Sequence, residues 1–178
     1  MWPEPKQVLT ALGIRPDMDV VDLCCGDGLF TAALTLLSRH VIGIDIDGGM
    51  LAVAQDKIKA IRATNFELIE GDAYAIAELV SRPVDYVLIA NTFHGVPDKT
   101  RLARGVVAIL KTSGQFAVVN WHRRPREQTT VLGQPRGPKT DMRMEPSDVA
   151  ATVAPAGLTL ADVIDLPPYH YGAIFVRA

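Results

Sequence analysis

Cysteine is nearly absent from this chain: its 178 residues hold two, Cys24 and Cys25, and these are neighbours. Adjacent cysteines rarely bridge because their side chains diverge. A disulfide framework is therefore excluded, and a reduced, cytoplasmic setting is expected. Long apolar runs are missing too, since no stretch approaches the roughly 20 apolar residues of a membrane span. Met1 to Lys6 shows no basic segment followed by an apolar one, so no signal peptide is expected. Neither sign of charge dominates: 18 Lys and Arg against 20 Asp and Glu leave a net of −2. That balance argues against nucleic acid or an anionic membrane as partner, and no basic surface interleaved with aromatics is visible. Internal repeats are also absent.

What is present is a regular alternation of short apolar runs and helical patterns. Hydrophobic residues make up 48% of the chain, enough for one packed domain over residues 1–178. Strands are expected at 19–23, 41–44, 66–69, 84–90 and 115–120. The run at 84–90 is continuously apolar, as in a strand covered on both faces. Between them, Leu29, Ala32, Ala33, Leu36 and Leu37 predict one helix face. Met50, Val53, Ala54, Ile58 and Ile61 predict a second, and further helices are expected at 74–80 and 98–110. After Asn120 the rhythm breaks. Residues 122–146 hold four prolines and two glycines, and a loop of that length in a compact domain is usually functional or disordered. A short helix from Ser147 and strands at 158–164 and 169–176 close the chain. Their Leu166-Pro167-Pro168 link is too short for a crossover helix, so the last pair is expected to be an antiparallel hairpin. The fold class that follows is α/β, a mostly parallel sheet with helices on both faces and one reversed strand at its C-terminal end.

The strongest motif is Val20-Val21-Asp22-Leu23-Cys24-Cys25-Gly26-Asp27-Gly28, where the first strand hands over to a helix. Ligands of doubly wound sheets bind beyond the strands' carboxyl ends, where strand order reverses. Gly26 and Gly28 would let backbone approach such a ligand. Asp22, at the end of a buried strand, needs a partner, which a cationic ligand group would supply; otherwise it caps the helix. Asp45 ends the second strand and is suited to both hydroxyls of a ribose; otherwise it caps the next helix, for which Asp47 is at least as well placed. Asp72 follows the third strand and either faces an adenine amino group or caps the next helix.

These residues resemble class I S-adenosylmethionine (SAM)-dependent methyltransferases, especially the type 11 group that includes the ubiquinone and menaquinone C-methyltransferases. The likeness runs through Asp-Leu-Cys-Cys-Gly-x-Gly, Gly43-Ile44-Asp45 with Met50-Leu51 and Ala54, Gly71-Asp72-Ala73, and the block from Asp85 to Asn120 with His94, Asp98 and Leu110-Lys111. It covers about residues 19–121 well and the final hairpin loosely. It implies a Rossmann-like doubly wound sheet of seven strands and SAM as cofactor, with S-adenosylhomocysteine as product. By the same resemblance Cys24, Gly26 and Gly28 would line the methionine part and Asp22 would meet its ammonium. Asp45 and Ile46 would hold the ribose end, Asp72 with Ala73 would read adenine, and Asn91 would lie near the sulfonium. The chain departs from the group's habit in having Cys24 where glycine is common and Thr112-Ser113-Gly114 where Pro-Gly-Gly is usual. It is also short for an enzyme that binds a quinone.

Two alternatives are a nicotinamide-dependent oxidoreductase and a SAM-binding regulator without catalysis. The dinucleotide fingerprint needs a third small residue, and Thr31 occupies that place; Asp27 would moreover face a pyrophosphate. The ends of the fourth and fifth strands and the start of the last bring His94, His122 and His170 to one rim, as candidate catalytic bases. His122 is preferred, then His170, then His94, and His40 is structural. No metal-ligand spacing links the histidines, and no metal is expected. Between 122 and 146, Arg123, Arg124, Arg126, Arg136, Lys139 and Arg143 outnumber Glu127, Asp141 and Glu145. The segment is expected to recruit a small anionic acceptor.

Overall fold

The computed structural model describes residues 4–178, which leaves outside it the first half of the Met1 to Lys6 stretch read for a signal peptide. Five strands follow one another in parallel: β1 (Asp19–Leu23), β2 (His40–Asp45), β3 (Phe66–Glu70), β4 (Val84–Ala90) and β5 (Leu110–Trp121). A short antiparallel pair, β6 (Thr130–Val131) and β7 (Gln134–Pro135), stands apart from them. The chain ends in β8 (Leu158–Leu166) and β9 (His170–Arg177). The main sheet has seven strands in the order β3-β2-β1-β4-β5-β9-β8. β9 runs antiparallel to both neighbours, as the short Pro-Pro link requires. Strand order reverses between β1 and β4, the arrangement expected of a doubly wound sheet.

Helices cover both faces. α1 (Pro5–Ala11) and α2 (Leu29–Leu34) pack on one side, with α3 (Gly48–Ala60) beside α2. α4 (Ile76–Leu79), α5 (Lys99–Ile109) and α6 (Pro146–Val153) pack on the other. The apolar runs of β1 and β4 are consequently buried on both faces. The short α1 has no counterpart in the sequence reading. Glu4 caps it by accepting from the Gln7 amide, and the Tyr86 hydroxyl, donating to Leu12 O at 2.8 Å, pins its end against the sheet.

Two helix faces differ from expectation. In α2 the buried residues are Phe30, Thr31, Ala33 and Leu34, while Leu29 and Leu36 are exposed. In α3 they are Leu51, Ala54 and Ile58, while Met50, Val53 and Ile61 are exposed. Both helices are rich in apolar residues all round, so periodicity alone admits more than one face. β5 also begins earlier than expected. Its register against β4 shifts between the Val84–Leu110 and Tyr86–Gln115 pairs, and Thr112-Ser113-Gly114 forms the irregular stretch. Lys111 fixes it through Asp85, with Nζ–O distances of 2.8 and 2.9 Å.

Gly28 marks where the helices come closest. It sits at φ +75°, and a Cβ there would stand 2.6 Å from the Ala54 Cβ. Its smallness thus serves the approach of α3 to the turn. Gly28→Ala is expected to destabilise the fold by about 2–4 kcal/mol, from overpacking and left-handed backbone together. Urea denaturation measures this. Adding Ala54→Gly should recover the packing part alone, and a Gly28→Ala chain as stable as the parent would refute the contact.

Candidate functional site

The loops after β1, β2, β3 and β4 enclose a cavity of about 510 Å³. Of the expected cofactor residues, Cys24, Gly26, Asp45, Ile46, Asp72, Ala73 and Asn91 line it, and so does His94. Asp45 organises the wall: its Oδ2 accepts from the Gly26 amide at 2.7 Å and its Oδ1 from the Asp47 amide at 3.0 Å. Asp47 caps α3, accepting from the amides of Gly49 and Met50. Asp72 caps the helical turn that follows it, one of the two readings considered for it. It lines the cavity and accepts from the Tyr74 amide at 2.9 Å. Thr92, next to Asn91 at the end of β4, also faces the cavity, as do Tyr74 and the Gly95–Pro97 turn; no motif singled out the last two, because such residues carry no periodic signal. The wall is set by unusual backbone at two further points. Cys24 and Asn91 both adopt φ +59°, a region that favours glycine. That accounts for glycine being usual where this chain has Cys24.

Asp22 and Gly28 are not among the lining residues. Gly28 packs against Ala54, as described above. Asp22 is 2% exposed and accepts from the Thr31 hydroxyl at 2.6 Å. Burial pushes its carboxyl from the ordinary 3.8 up to about 7, against the opposing hydrogen bond from Thr31. Thr31, at the place where a dinucleotide fingerprint has a small residue, is itself buried by this bond. Asp27 does not line the cavity; it turns outward to Lys57, with an Nζ–O distance of 2.7 Å. The expected clash with a pyrophosphate therefore has no basis in its position. Both thiols are pushed up to about 12, chiefly by burial, so neither is a ready nucleophile.

The histidines do not share one pocket. His94 lies in the cavity, with Nδ1 3.4 Å from Asn120 Oδ1, and burial lowers its pKa. His122 follows β5; its Nε2 is 2.9 Å from Asp165 Oδ1 and its ring is 5.5 Å from that of Tyr171. His170 is 3% exposed, its ring 4.1 Å from that of Trp121. Burial first, then the charges of His122 and Arg143, push it down to about 3. It belongs to a second cleft of about 300 Å³, lined by Trp121, Val131, Arg136, Gly137, Pro168, Tyr169 and His170. His40 lies at the far end of β2, beside Arg82. Among the described residues, no group of three His, Cys, Asp or Glu side chains is placed to hold a metal ion.

Residues 122–146 are ordered around one cation. Arg143 is 2% exposed and makes five hydrogen bonds, to the carbonyls of His122, Arg124, Arg136 and Pro138 and to the Thr129 hydroxyl. Its guanidinium also lies over the Trp121 ring at 5.2 Å. Arg126 likewise donates to the carbonyls of Pro135 and Gly137. Counting charges could not separate these internal braces from Arg136, which lines the second cleft.

With this geometry in view, three comparisons bear on kinship. A family model described as "Methyltransferase domain" matches residues 20–114, more than half of the chain. A demethylmenaquinone methyltransferase of Shouchella clausii is 30% identical over 114 residues, 62% of this chain and 48% of that protein. The chain thus spans about half the length of the curated relatives it matches. A SAM-dependent methyltransferase from Aquifex aeolicus superposes with a TM-score of 0.83 at 20% identity, covering 98% of this chain and 90% of the other. The structure of DhpI with S-adenosylhomocysteine does so with a TM-score of 0.71 at 20% identity, covering 98% and 83%. Among the described residues, no helix is long and apolar enough to cross a membrane.

Two buried groups give stability opposite slopes with pH. The folded chain keeps a proton on Asp22 between pH 3.8 and about 7 that the unfolded chain has released, so this contribution falls as pH rises. The unfolded chain protonates His170 below 6.5 while the folded chain resists down to about 3, so that contribution is lost as pH falls. Denaturant titrations at stepped pH should show Asp22→Asn removing the first slope and His170→Phe the second. Parallel profiles for variants and parent would contradict both assignments.

Proposed function

The chain belongs to the methyltransferase-domain family, the class I SAM-dependent methyltransferases, and from that premise we propose that it transfers a methyl group from SAM to a small anionic acceptor. The observation that carries the reading is the cavity at the strand-order reversal. Asn91 Oδ1 is buried there without a hydrogen-bond partner among the described residues. A Cβ on Gly26 would enter open space, so backbone there can lie against a ligand. Acids line the cavity at the ends of β2 and β3, which suits a nucleoside bearing a sulfonium and an ammonium better than one bearing phosphates.

SAM, when bound, supplies an electrophilic methyl group on a good leaving group. Each oxygen of Asp45 already accepts one amide, and a carboxylate has lone pairs to spare for ribose hydroxyls. Asp72 and the Ala73 backbone would read the adenine edge, with Ile46 packed nearby. Cys24, Gly26 and Asn91 would flank the methionine end. Asp22, behind the loop and bonded to Thr31, would hold the turn that flanks the methionine end rather than meet the ammonium itself. Gly28 acts through helix packing.

In this reading the chain is one domain, with residues 122–146 as its acceptor loop and Arg123, Arg124 and Arg136 as the recruiting charges. Arg143 and Arg126 shape that loop from within. A base is needed only where the acceptor arrives protonated, since positioning supplies most of the acceleration in an in-line displacement. His122 remains first choice, because Asp165 can orient its ring. His94 comes second, half-buried beside the cofactor site. His170, pushed down to about 3, is too weak a base near neutrality.

The direct test is mass spectrometry of ligand carried by the protein purified from cells, in which SAM or S-adenosylhomocysteine should appear. Asp45→Ala is expected to weaken SAM binding by roughly 1–3 kcal/mol. Calorimetry with unchanged affinity would remove the ribose assignment, and binding of NAD without SAM would remove the cofactor assignment.

A second expectation concerns proton transfer. His122→Gln should lower kcat by ~10²–10⁴-fold with SAM affinity intact, and Asp165→Asn should lower it less. If the Gln variants of His122, His94 and His170 all keep the parent's kcat, the enzyme works by positioning alone.

A further inference from the structure

The second cleft opens on the same rim of the sheet as the cofactor cavity. The Asn91 amide donates to Val119 O at 2.8 Å, and Trp121 stands two residues further along β5. In the β5–β9 register Trp121 faces His170 and Asn120 faces Tyr171. Alternation therefore puts the cleft and His94, which contacts Asn120, on opposite faces of the sheet edge.

Three rings give the cleft its character. Trp121 and Tyr169 are nearly parallel, with an interplanar angle of 14° and centroids 6.1 Å apart, and His170 closes one side against Trp121. Val131 and Pro168 complete the apolar wall. Gly137 lies flat on Trp121, where a Cβ would come within 2.7 Å of the indole. About 300 Å³ is roughly twice the cavity that holds one benzene ring, so there is room for a fused two-ring system or a ring with a substituent.

Charge then selects among flat ligands. No carboxylate lines the cleft, and Arg136 is its one charged lining residue. A guanidinium presents a planar fork that matches a carboxylate. An aromatic cage of this kind also attracts quaternary ammonium groups. Here, however, the Arg143 guanidinium already lies over Trp121, and with Arg136 it sets a positive field that opposes a cationic guest.

We propose that this cleft binds a flat aromatic carboxylate, its ring system against the wall that Trp121, Tyr169 and His170 form and its carboxylate on Arg136. The site goes beyond the transfer reading above: it lies on the face of the sheet edge opposite His94, and its ligand class stands on the cleft's own lining.

The test uses the full chain, 2-naphthoate as probe, and calorimetry with and without S-adenosylhomocysteine. Naphthoate should bind in both states, since the two cavities have different linings. Arg136→Gln should weaken naphthoate by roughly 10- to 100-fold, while binding of neutral 2-naphthamide and of S-adenosylhomocysteine stays as in the parent. Val131→Phe, which narrows the cleft without removing charge, should weaken naphthoate and naphthamide together. No naphthoate binding, equal affinity for benzyltrimethylammonium, or competition between naphthoate and S-adenosylhomocysteine would each overturn the proposal. Failure of S-adenosylhomocysteine to bind, with naphthoate still bound in an Arg136-dependent way, would instead overturn the transfer reading and leave the cleft's ligand class standing.

Discussion

The reversal of strand order between β1 and β4 is the constraint on which the molecule depends. Parallel strands need crossovers, and crossovers are right-handed. The helix after β1 must therefore descend one face of the sheet and the helix after β4 the other. Their connecting loops part at the carboxyl ends, and the crevice between them is where the cavity lies. Everything near it adjusts to that separation. Cys24 and Asn91, the residues immediately after the two strands, take left-handed backbone to turn the chain away, and Asp45 on the next strand ties the Gly26 amide back.

Polar groups that the fold buries are used to fix loops rather than sheets. Asp22 holds Thr31 at the first turn of α2. Tyr171 donates from β9 to the Met144 carbonyl at 2.7 Å, beside the start of α6. Arg143 does the same for a whole segment. A buried cation without hydrogen bonds would be strongly unfavourable, but carbonyl oxygens of turns have no strand partners and need donors just as much. Each need answers the other.

The sheet was legible because its signals are local. The apolar run of 84–90 and the Leu166-Pro167-Pro168 turn both dictate their own geometry, and β1 and β4 fall where the sequence indicates. The faces of α2 and α3 were not, because Leu29, Met50 and Val53 sit in helices whose apolar residues outnumber the positions that can be buried, and α2 ends at Leu34, before Leu36. At the site, Asp45 and Asp72 could be read from their places at strand ends. That Asp22 and Gly28 stand behind the loop could not, since it depends on α3 approaching Gly28 from another part of the chain. The histidines illustrate the same limit. Topology brings His122 and His170 to one rim, but alternation along β5 and β9 then separates the His170 and Trp121 face from the Asn120 and Tyr171 face. Arg143 looked like any other basic loop residue, because its burial is a property of the turns that close over it.

The fastening of residues 122–142 around Arg143 has a bearing on how that segment moves. Its turns reach a common side chain, so none of them can swing out without costing the others a donor. The amide protons of the segment are therefore expected to exchange as one cooperative unit rather than fraying from its tip. The cleft that Val131, Arg136 and Gly137 help to line would then change shape with the whole unit rather than with one turn of it.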